Sequence, residues 1–364
     1  MTEPSEPMRR AIEAARAARG RTSPNPWVGA AITRDGEVIS VGATSPYGGP
    51  HAEASALANV DARGTTLYTT LEPCVPFEGK KTPPCSEAIV AAGVAKVVIG
   101  ILDPHVGGPG VARLREAGIE VEVGDGAEAV TELLRPYLKF RATGRPYVIA
   151  KFAVSLDGKV GAPAAGIRWL TSDAALARAH ADRDWVDAIM VGSGTVIADD
   201  PALTARPGGA EAQRQPVRVV LDARGRTPPG SRVFGPAGKA IVATTTDAPR
   251  EWREAMTAEG TTLLDLEPGD MGVNLDQLLD TLGRRGILSL IAEGGPVVLA
   301  SLFEGGHVDE VHAYVAPRIL GEHGIALELP GAGPLTLGET VIEALPPDVL
   351  VRGYTGSWAQ RLAL

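Results

Sequence analysis

Two cysteines, Cys74 and Cys85, stand in 364 residues, which excludes a disulfide framework for a chain of this length. Aromatic residues are scarce, at 4%. No run approaches the ~18 consecutive apolar residues of a membrane-spanning helix, and the first ten residues lack the apolar stretch of a signal peptide. A basic surplus is missing too. The chain carries 35 Lys and Arg against 44 Asp and Glu, a net charge of −9, so it lacks the cationic surface on which binding to a phosphate backbone depends. These absences lead to the expectation of a cytoplasmic protein with neither nucleic acid nor membrane as a partner.

What is present describes a folded chain. Hydrophobic residues make up 44% and charged residues 22%, a balance that supplies buried cores. At ~150 residues per domain the length favours two domains. Glycine (44) and proline (29) together form about a fifth of the sequence, a loop-rich but not low-complexity composition.

Met8, Ile12, Ala15 and Ala18 recur at helical spacing, with Gly20 as a stop. Val28 to Thr33 and Val38 to Val41 read as strands joined by the turn pair Asp35-Gly36. Helices follow over His51 to Val60, Ser86 to Ala92, Val111 to Ala117 and Glu128 to Leu138, alternating with strands over Thr66 to Leu71, Val97 to Ile101 and Ile119 to Val123. This alternation predicts a layered α/β domain over residues 1–144. The pattern breaks at Ala142-Thr143-Gly144-Arg145-Pro146, and a second α/β domain over 145–364 begins with a strand at Tyr147 to Val154. Its further strands are predicted at Val186 to Val191, Val217 to Leu221, Ala240 to Thr244, Leu288 to Ala292 and Val308 to Val315, with helices at Ser172 to Arg183 and Leu275 to Leu282.

Both cysteines fall into a chemically coherent set. His51-Ala52-Glu53, Glu72-Pro73-Cys74 and Cys85 supply an imidazole, two thiols and carboxylates. Catalytic zinc takes three nitrogen or sulfur ligands from the protein and leaves a fourth position for water; His51, Cys74 and Cys85 meet that number. Glu53, two residues beyond His51, stands where a general acid/base belongs. The order H-x-E then P-C matches the zinc-deaminase signature, although ten residues separate the cysteines in place of two. In the second half no G-x-G-x-x-G follows a strand, so a Rossmann site is not supported. Two glycine turns, Gly192-Ser193-Gly194-Thr195 and Glu293-Gly294-Gly295, each precede a helical segment and are candidates for holding a cofactor phosphate.

Along nearly its whole length the sequence resembles the bifunctional riboflavin-biosynthesis deaminase-reductases. Pro24-Asn25-Pro26-x-Val28-Gly29, His51-Ala52-Glu53, Leu71-Glu72-Pro73-Cys74 and Thr82-Pro83-Pro84-Cys85 carry the deaminase pattern. The reductase pattern runs through Lys151-Phe152-Ala153-x-Ser155-Leu156-Asp157-Gly158, Trp169-Leu170-Thr171, Gly194-Thr195-Val196-x-x-Asp199-Asp200-Pro201, Leu203-Thr204-x-Arg206 and Glu293-Gly294-Gly295.

The resemblance implies a cytidine-deaminase-like three-layer α/β/α domain followed by a dihydrofolate-reductase-like α/β domain, with zinc and NADPH as cofactors. The first would remove the 2-amino group of 2,5-diamino-6-ribosylamino-4(3H)-pyrimidinone 5′-phosphate, and the second would reduce the ribosyl group to ribityl. Carried onto this sequence, Ser155, Trp169, Thr171, Thr195, Asp199, Glu293, Gly294 and Gly295 are expected at the cofactor. Asn25, Lys80, Lys81, Lys151, Arg183, Asp200, Leu203, Arg206 and Glu293 are expected at the phosphorylated pyrimidine substrate, and the chain is expected to form a homo-oligomer. Four features depart from the family pattern. Thr44 replaces a histidine, His105 an asparagine and Ile167 a serine, and the segment between the cysteines is two residues longer and lacks histidine. A paralogue that deaminates another heterocycle, with an altered or purely binding second domain, is the alternative these departures leave open.

Overall fold

The computed structural model describes residues 3–76, 83–104, 107–162, 166–167, 169–269, 272–329, 331 and 333–356. Two compact units emerge, Met1–Thr143 and Gly144–Leu364. Among the described residues no helix is long and apolar enough to cross a membrane.

In the first unit α1 (Glu6–Ala18) starts on Ser5, whose hydroxyl accepts from Met8 N at 3.4 Å, and it buries the stripe Met8, Ala11, Ile12 and Ala15. Strands β1 (Gly29–Arg34) and β2 (Glu37–Ala43) form a hairpin around Asp35 and Gly36, both with positive φ, as a tight right-twisted turn requires. Helix α2 (Ala52–Leu57), strand β3 (Thr66–Leu71), helix α3 (Cys85–Ala91), strand β4 (Lys96–Ile101), helix α4 (Pro109–Glu116), strand β5 (Glu120–Val123) and helix α5 (Ala127–Thr143) complete it. The sheet order is β2-β1-β3-β4-β5, with β1 antiparallel to both neighbours and β3, β4 and β5 parallel.

Two glycines define the layers. A Cβ on Gly29 would lie 1.8 Å from Ala11 O, so α1 covers the face to which Gly29 belongs. Gly42 is the cross-strand partner of Ala30 and therefore faces the opposite way; a Cβ there would lie 2.4 Å from Ala56 N and 2.5 Å from Ala52 O. Helices α1 and α2 thus sandwich the sheet, giving the three-layer arrangement. Contact this close also fixes α2, which carries Glu53 and is preceded by His51.

The second unit is built on one nine-stranded sheet. Its elements in chain order are β6 (Tyr147–Ser155), β7 (Lys159–Gly161), α6 (Asp173–Trp185), β8 (Ala188–Gly192), α7 (Ser193–Asp199), β9 (Val217–Leu221), β10 (Ala240–Thr244), α8 (Arg250–Ala258), β11 (Thr262–Asp265), β12 (Pro268–Gly269), β13 (Gly272–Val273), α9 (Leu275–Arg284), β14 (Ser289–Ala292), α10 (Pro296–Glu304), β15 (Glu310–Ala316), β16 (Ile325–Ala326), β17 (Gly338–Leu345) and β18 (Asp348–Tyr354). The order is β11-β10-β9-β8-β14-β6-β15-β18-β17, parallel as far as β15 and closed by the antiparallel pair β18 and β17.

Side chains alternate between its faces. Val148, Ala150, Val311, Leu290 and Ala292 point to the core shared with Leu278, Leu282, Leu299 and Leu302 of α9 and α10. Tyr314 and Leu350 point the other way, to Ala175 and Ala179 of α6. The β17–β18 hairpin, α8 and β11 were not foreseen from sequence. Most of β17 is exposed, so it lacks the apolar alternation that marks a half-buried strand.

Replacing Gly42 with Ala is expected to lift α2 from the sheet and destabilise the first unit by about 2 kcal/mol, within the range of overpacking in a close-packed interior. Urea unfolding followed by Trp27 fluorescence reads this, since Trp27 is buried in that unit. An unchanged midpoint would contradict the packing described.

Candidate active sites

In the first unit three chain segments deliver the metal-type donors. His51 is the residue before α2, Cys74 follows β3, and Cys85 is the first residue of α3. His51 Nδ1 lies 3.5 Å from Cys74 Sγ and 3.5 Å from Cys85 Sγ, and one donor atom from each residue lies within 4.8 Å of the others. Bonds of about 2.3 Å to sulfur and 2.1 Å to nitrogen, opened at the tetrahedral angle, set an N···S edge of roughly 3.5 Å, so the donor set has the size of a zinc site. Cys85 N also donates to Cys74 Sγ at 3.4 Å, which orients that sulfur.

Electrostatics point the same way. Glu53 is 3% exposed, in the first turn of α2, and its carboxyl is pushed up to about 7, first by burial and then by the charge of Cys74. The Cys85 thiol is pushed well above its ordinary value by its hydrogen bond with Cys74, by burial and by the charge of Glu53. Three potential anions share one buried corner, an arrangement that a cation relieves.

A residue the sequence reading left without a role holds this corner together. The buried Glu72 carboxylate accepts from Gly110 N at 2.7 Å, Asp103 N and Gly108 N at 3.2 Å, and Val111 N at 3.3 Å. It fastens the start of α4 and the loop before it to the segment that ends in Cys74. The acid next to Pro73-Cys74 was a visible signal, but only the fold reveals its four amide partners.

Other predicted positions vary in what surrounds them. Asn25 sits half-buried in a turn closed by Asn25 N to Thr22 O (2.9 Å) and by Thr22 Oγ1 to Asn25 O (2.8 Å). Thr44 is buried and accepts from Val28 N at 3.1 Å, so it braces the entry to β1. Lys80, Lys81 and His105 lie outside the described residues.

In the second unit the two glycine turns come together at the carboxyl ends of the adjacent parallel strands β8 and β14. Glu293 N donates to Met190 O at 2.9 Å, and a Cβ on Gly295 would lie 3.7 Å from Thr195 Oγ1. Gly294 has Val298 against its Cα, where a Cβ would lie at 2.7 Å. Trp169 is 68% exposed, Thr171 is half-buried, and Asp199 is exposed at the end of α7. Ser155 is buried, with its hydroxyl donating to Asp157 Oδ1 at 2.5 Å and accepting from Lys159 N at 3.0 Å. Ile167 is bridged to Ala162 through its backbone.

Beside these turns lies a buried ionic group. Arg183 grips Glu293 with both ends of its fork, Nε to Oε1 at 2.6 Å and Nη2 to Oε2 at 2.8 Å, while Lys151 Nζ reaches Oε2 at 3.4 Å. Burial would raise the Glu293 carboxyl, but Arg183 and Lys151 hold it at about 2. Arg183 Nη1 and His180 Nδ1 both donate to Thr204 O, and Arg206 Nη2 donates to His180 Nε2 at 3.3 Å. His180 thus fixes the direction of Arg206; burial, then Arg183 and Arg206, keep its imidazole below the ordinary value. Leu203 is buried with a positive φ, and Asp200 accepts from Arg232 N at 2.7 Å.

On the same face of the sheet His312 is sandwiched between Asp182 Oδ2 (3.1 Å from Nδ1) and Glu310 Oε1 (2.7 Å from Nε2). Burial alone would lower this imidazole; Asp182 and Glu310 push it up to about 9.

Comparison with known proteins matches both units. The cytidine and deoxycytidylate deaminase zinc-binding region matches residues 1–101, and the RibD C-terminal domain matches residues 146–351. The riboflavin biosynthesis protein RibD of Aquifex aeolicus is 38% identical over 349 residues, which span 95% of this chain and 92% of that protein. Its namesake from Escherichia coli is 38% identical over 339 residues, 89% of this chain and 90% of that one. Among solved structures, RibD of Acinetobacter baumannii superposes with a TM-score of 0.83 at 34% identity, covering 96% of this chain and 97% of that one. A diaminohydroxyphosphoribosylaminopyrimidine deaminase/5-amino-6-(5-phosphoribosylamino)uracil reductase from Thermotoga maritima gives 0.82 at 33% identity, with the same coverage.

The His312 imidazolium predicts a pH dependence. Its folded value lies above the ordinary 6.5, so its contribution to stability is fully present below about pH 6.5 and is lost as pH rises through about 9. Asp182, Glu310, Arg178, Arg352, Tyr314 and, on the neighbouring strand β6, Lys151 are ionisable groups around it. The urea midpoint of the second unit should therefore fall between pH 6.5 and 9.5, and His312→Gln should be less stable with a flatter profile. Parallel profiles for parent and variant would refute this.

Proposed function

The chain belongs to the RibD family, and from that premise we propose that its first unit deaminates the diaminopyrimidine ribosylamine phosphate of riboflavin biosynthesis while its second reduces the product's ribosyl group to ribityl. Zinc and NADPH are the cofactors. The observation that carries the reading is the meeting of His51, Cys74 and Cys85 beside the buried Glu53.

We assign His51 Nδ1 and the two sulfurs as zinc ligands. When bound, the metal supplies Lewis acidity and brings a water's pKa near neutrality. Glu53 is assigned the proton transfers: it receives a proton from the attacking water and delivers one to the 2-amino group, which leaves as ammonia as the ring carbon gains oxygen. Asn25 offers a donor and an acceptor to the pyrimidine edge, and Lys80 and Lys81 are assigned to the phosphate.

In the second unit the converging turns Gly192–Thr195 and Glu293–Gly295 are assigned to the NADPH phosphates, and Ser155, Trp169, Thr171 and Asp199 are assigned to the same cofactor. Lys151, Glu293 and Arg183 form a group with one net positive charge, fitted to the polar sugar chain that accepts the hydride. Arg206, directed by His180, is assigned to the ribose phosphate, and Leu203 and Asp200 are assigned to the same substrate. Arg183, which the family resemblance puts at the substrate, holds Glu293 with its fork. With a net charge of −9, a phosphorylated small molecule is favoured over nucleic acid. Thiols used as ligands fit a reducing, cytoplasmic compartment.

Replacing Glu53 with Gln tests the assignment. Ammonia release should fall at least about a hundredfold, the range for a positioned general acid/base, while NADPH oxidation with the already deaminated substrate stays at the parental rate. Parental ammonia release by the variant would overturn the role given to Glu53.

A further inference from the structure

We propose that Tyr314 is a positioning residue of the reductase site, its tightly packed ring carrying the Lys151 ammonium so that Lys151 is held where it meets Glu293. This rests on the reductase reading of the second unit. Lys151 lies on β6 and Tyr314 on the neighbouring β15, two register positions apart on the same face, since His312 pairs with Lys151 and Tyr314 with Ala153. Lys151 Nζ stands 5.4 Å from the centre of the Tyr314 ring, within reach of a cation–π contact. Its ion pair with Glu293 is long, 3.4 Å, and a lysine chain has four flexible bonds, so that pair alone leaves the ammonium free to wander. The ring supplies the second wall.

Tyr314 itself cannot turn. It is 1% exposed, packed among Ala175, Ala179 and Leu350, and its hydroxyl donates to Asp182 Oδ2 at 3.3 Å. Asp182 is in turn held by Arg178 and His312. The arrangement also deals with a repulsion: the half-buried Lys151 and the buried His312 imidazole are direct register partners, and two adjacent cations drive each other apart. Asp182 and Glu310 neutralise His312 from either side, leaving Tyr314 to present an uncharged, electron-rich face to the lysine. Tyr314 touches neither reacting atom in this scheme; it acts through Lys151.

The test compares Tyr314→Phe, which keeps the ring, with Tyr314→Leu, which removes it, in the full-length protein. Protein labelled at the lysine 13Cε positions has seven such sites, and loss of one signal in Lys151→Arg assigns Lys151. In the parent and in Tyr314→Phe the Lys151 ε protons should show the same ring-current upfield shift, which Tyr314→Leu should abolish. KM for the deaminated pyrimidine phosphate should rise about tenfold in Tyr314→Leu, with kcat and KM for NADPH within about twofold, and Tyr314→Phe should match the parent. An unmoved Lys151 signal in Tyr314→Leu, or equal impairment of the two variants, overturns the proposal. Failure of the parent to oxidise NADPH with that substrate refutes the reductase reading instead, while the spectra still report on Tyr314 and Lys151.

Discussion

Two thiols, an imidazole and a carboxyl meet within a few ångströms at one end of the first sheet, and the cost of confining potential anions there is the constraint around which the unit is organised. A buried charge without a partner is expensive, and the three donor atoms of His51, Cys74 and Cys85 come from separate segments that only the fold brings together. Gly42 lets α2 press against the sheet, so that His51 and Glu53 reach the corner. Glu72 gathers four backbone amides, tying the loop before α4 to the segment that presents Cys74. Neither residue needs to touch substrate, yet the chemistry depends on both. A cation held between the donors would turn an electrostatic liability into an attraction that orders the site.

The second unit meets the same difficulty with protein charges of opposite sign. Glu293 is buried but answered by Arg183 and Lys151; His312 is buried but answered by Asp182 and Glu310. Tyr314 touches both groups, with its hydroxyl on one and its ring over the other. The result is a cross-linked polar floor beside the converging glycine turns. Rigidity matters because a hydride donor and its acceptor must be aligned closely for transfer.

Legibility from sequence followed the range of the interactions. His51, Glu53, Cys74 and Cys85 could be named because residue type and order already carry the chemistry, and the glycine turns because a strand, glycines and a helix are contiguous. The α/β alternation was visible for the same reason, since 3.6- and 2-residue periods are local. Glu72, His180, Tyr314 and His312 were not readable as they stand in the fold. Each owes its role to partners far away in sequence, such as Gly110, Arg206, Lys151 and Asp182. Arg183 shows the converse, a residue with a family-based expectation whose fork meets a carboxylate. Strand β17 escaped notice because an exposed edge strand owes its place to backbone pairing with β18, which leaves little trace in hydrophobic pattern.

Zinc-edge X-ray absorption on the purified full-length protein, together with its metal content, addresses the central claim most directly. The account predicts one zinc per chain with two sulfur neighbours at about 2.3 Å and nitrogen or oxygen neighbours at about 2.0 to 2.1 Å, and loss of one sulfur from that shell in Cys85→Ser. A protein that binds no stoichiometric metal, or a metal shell without sulfur, would contradict it.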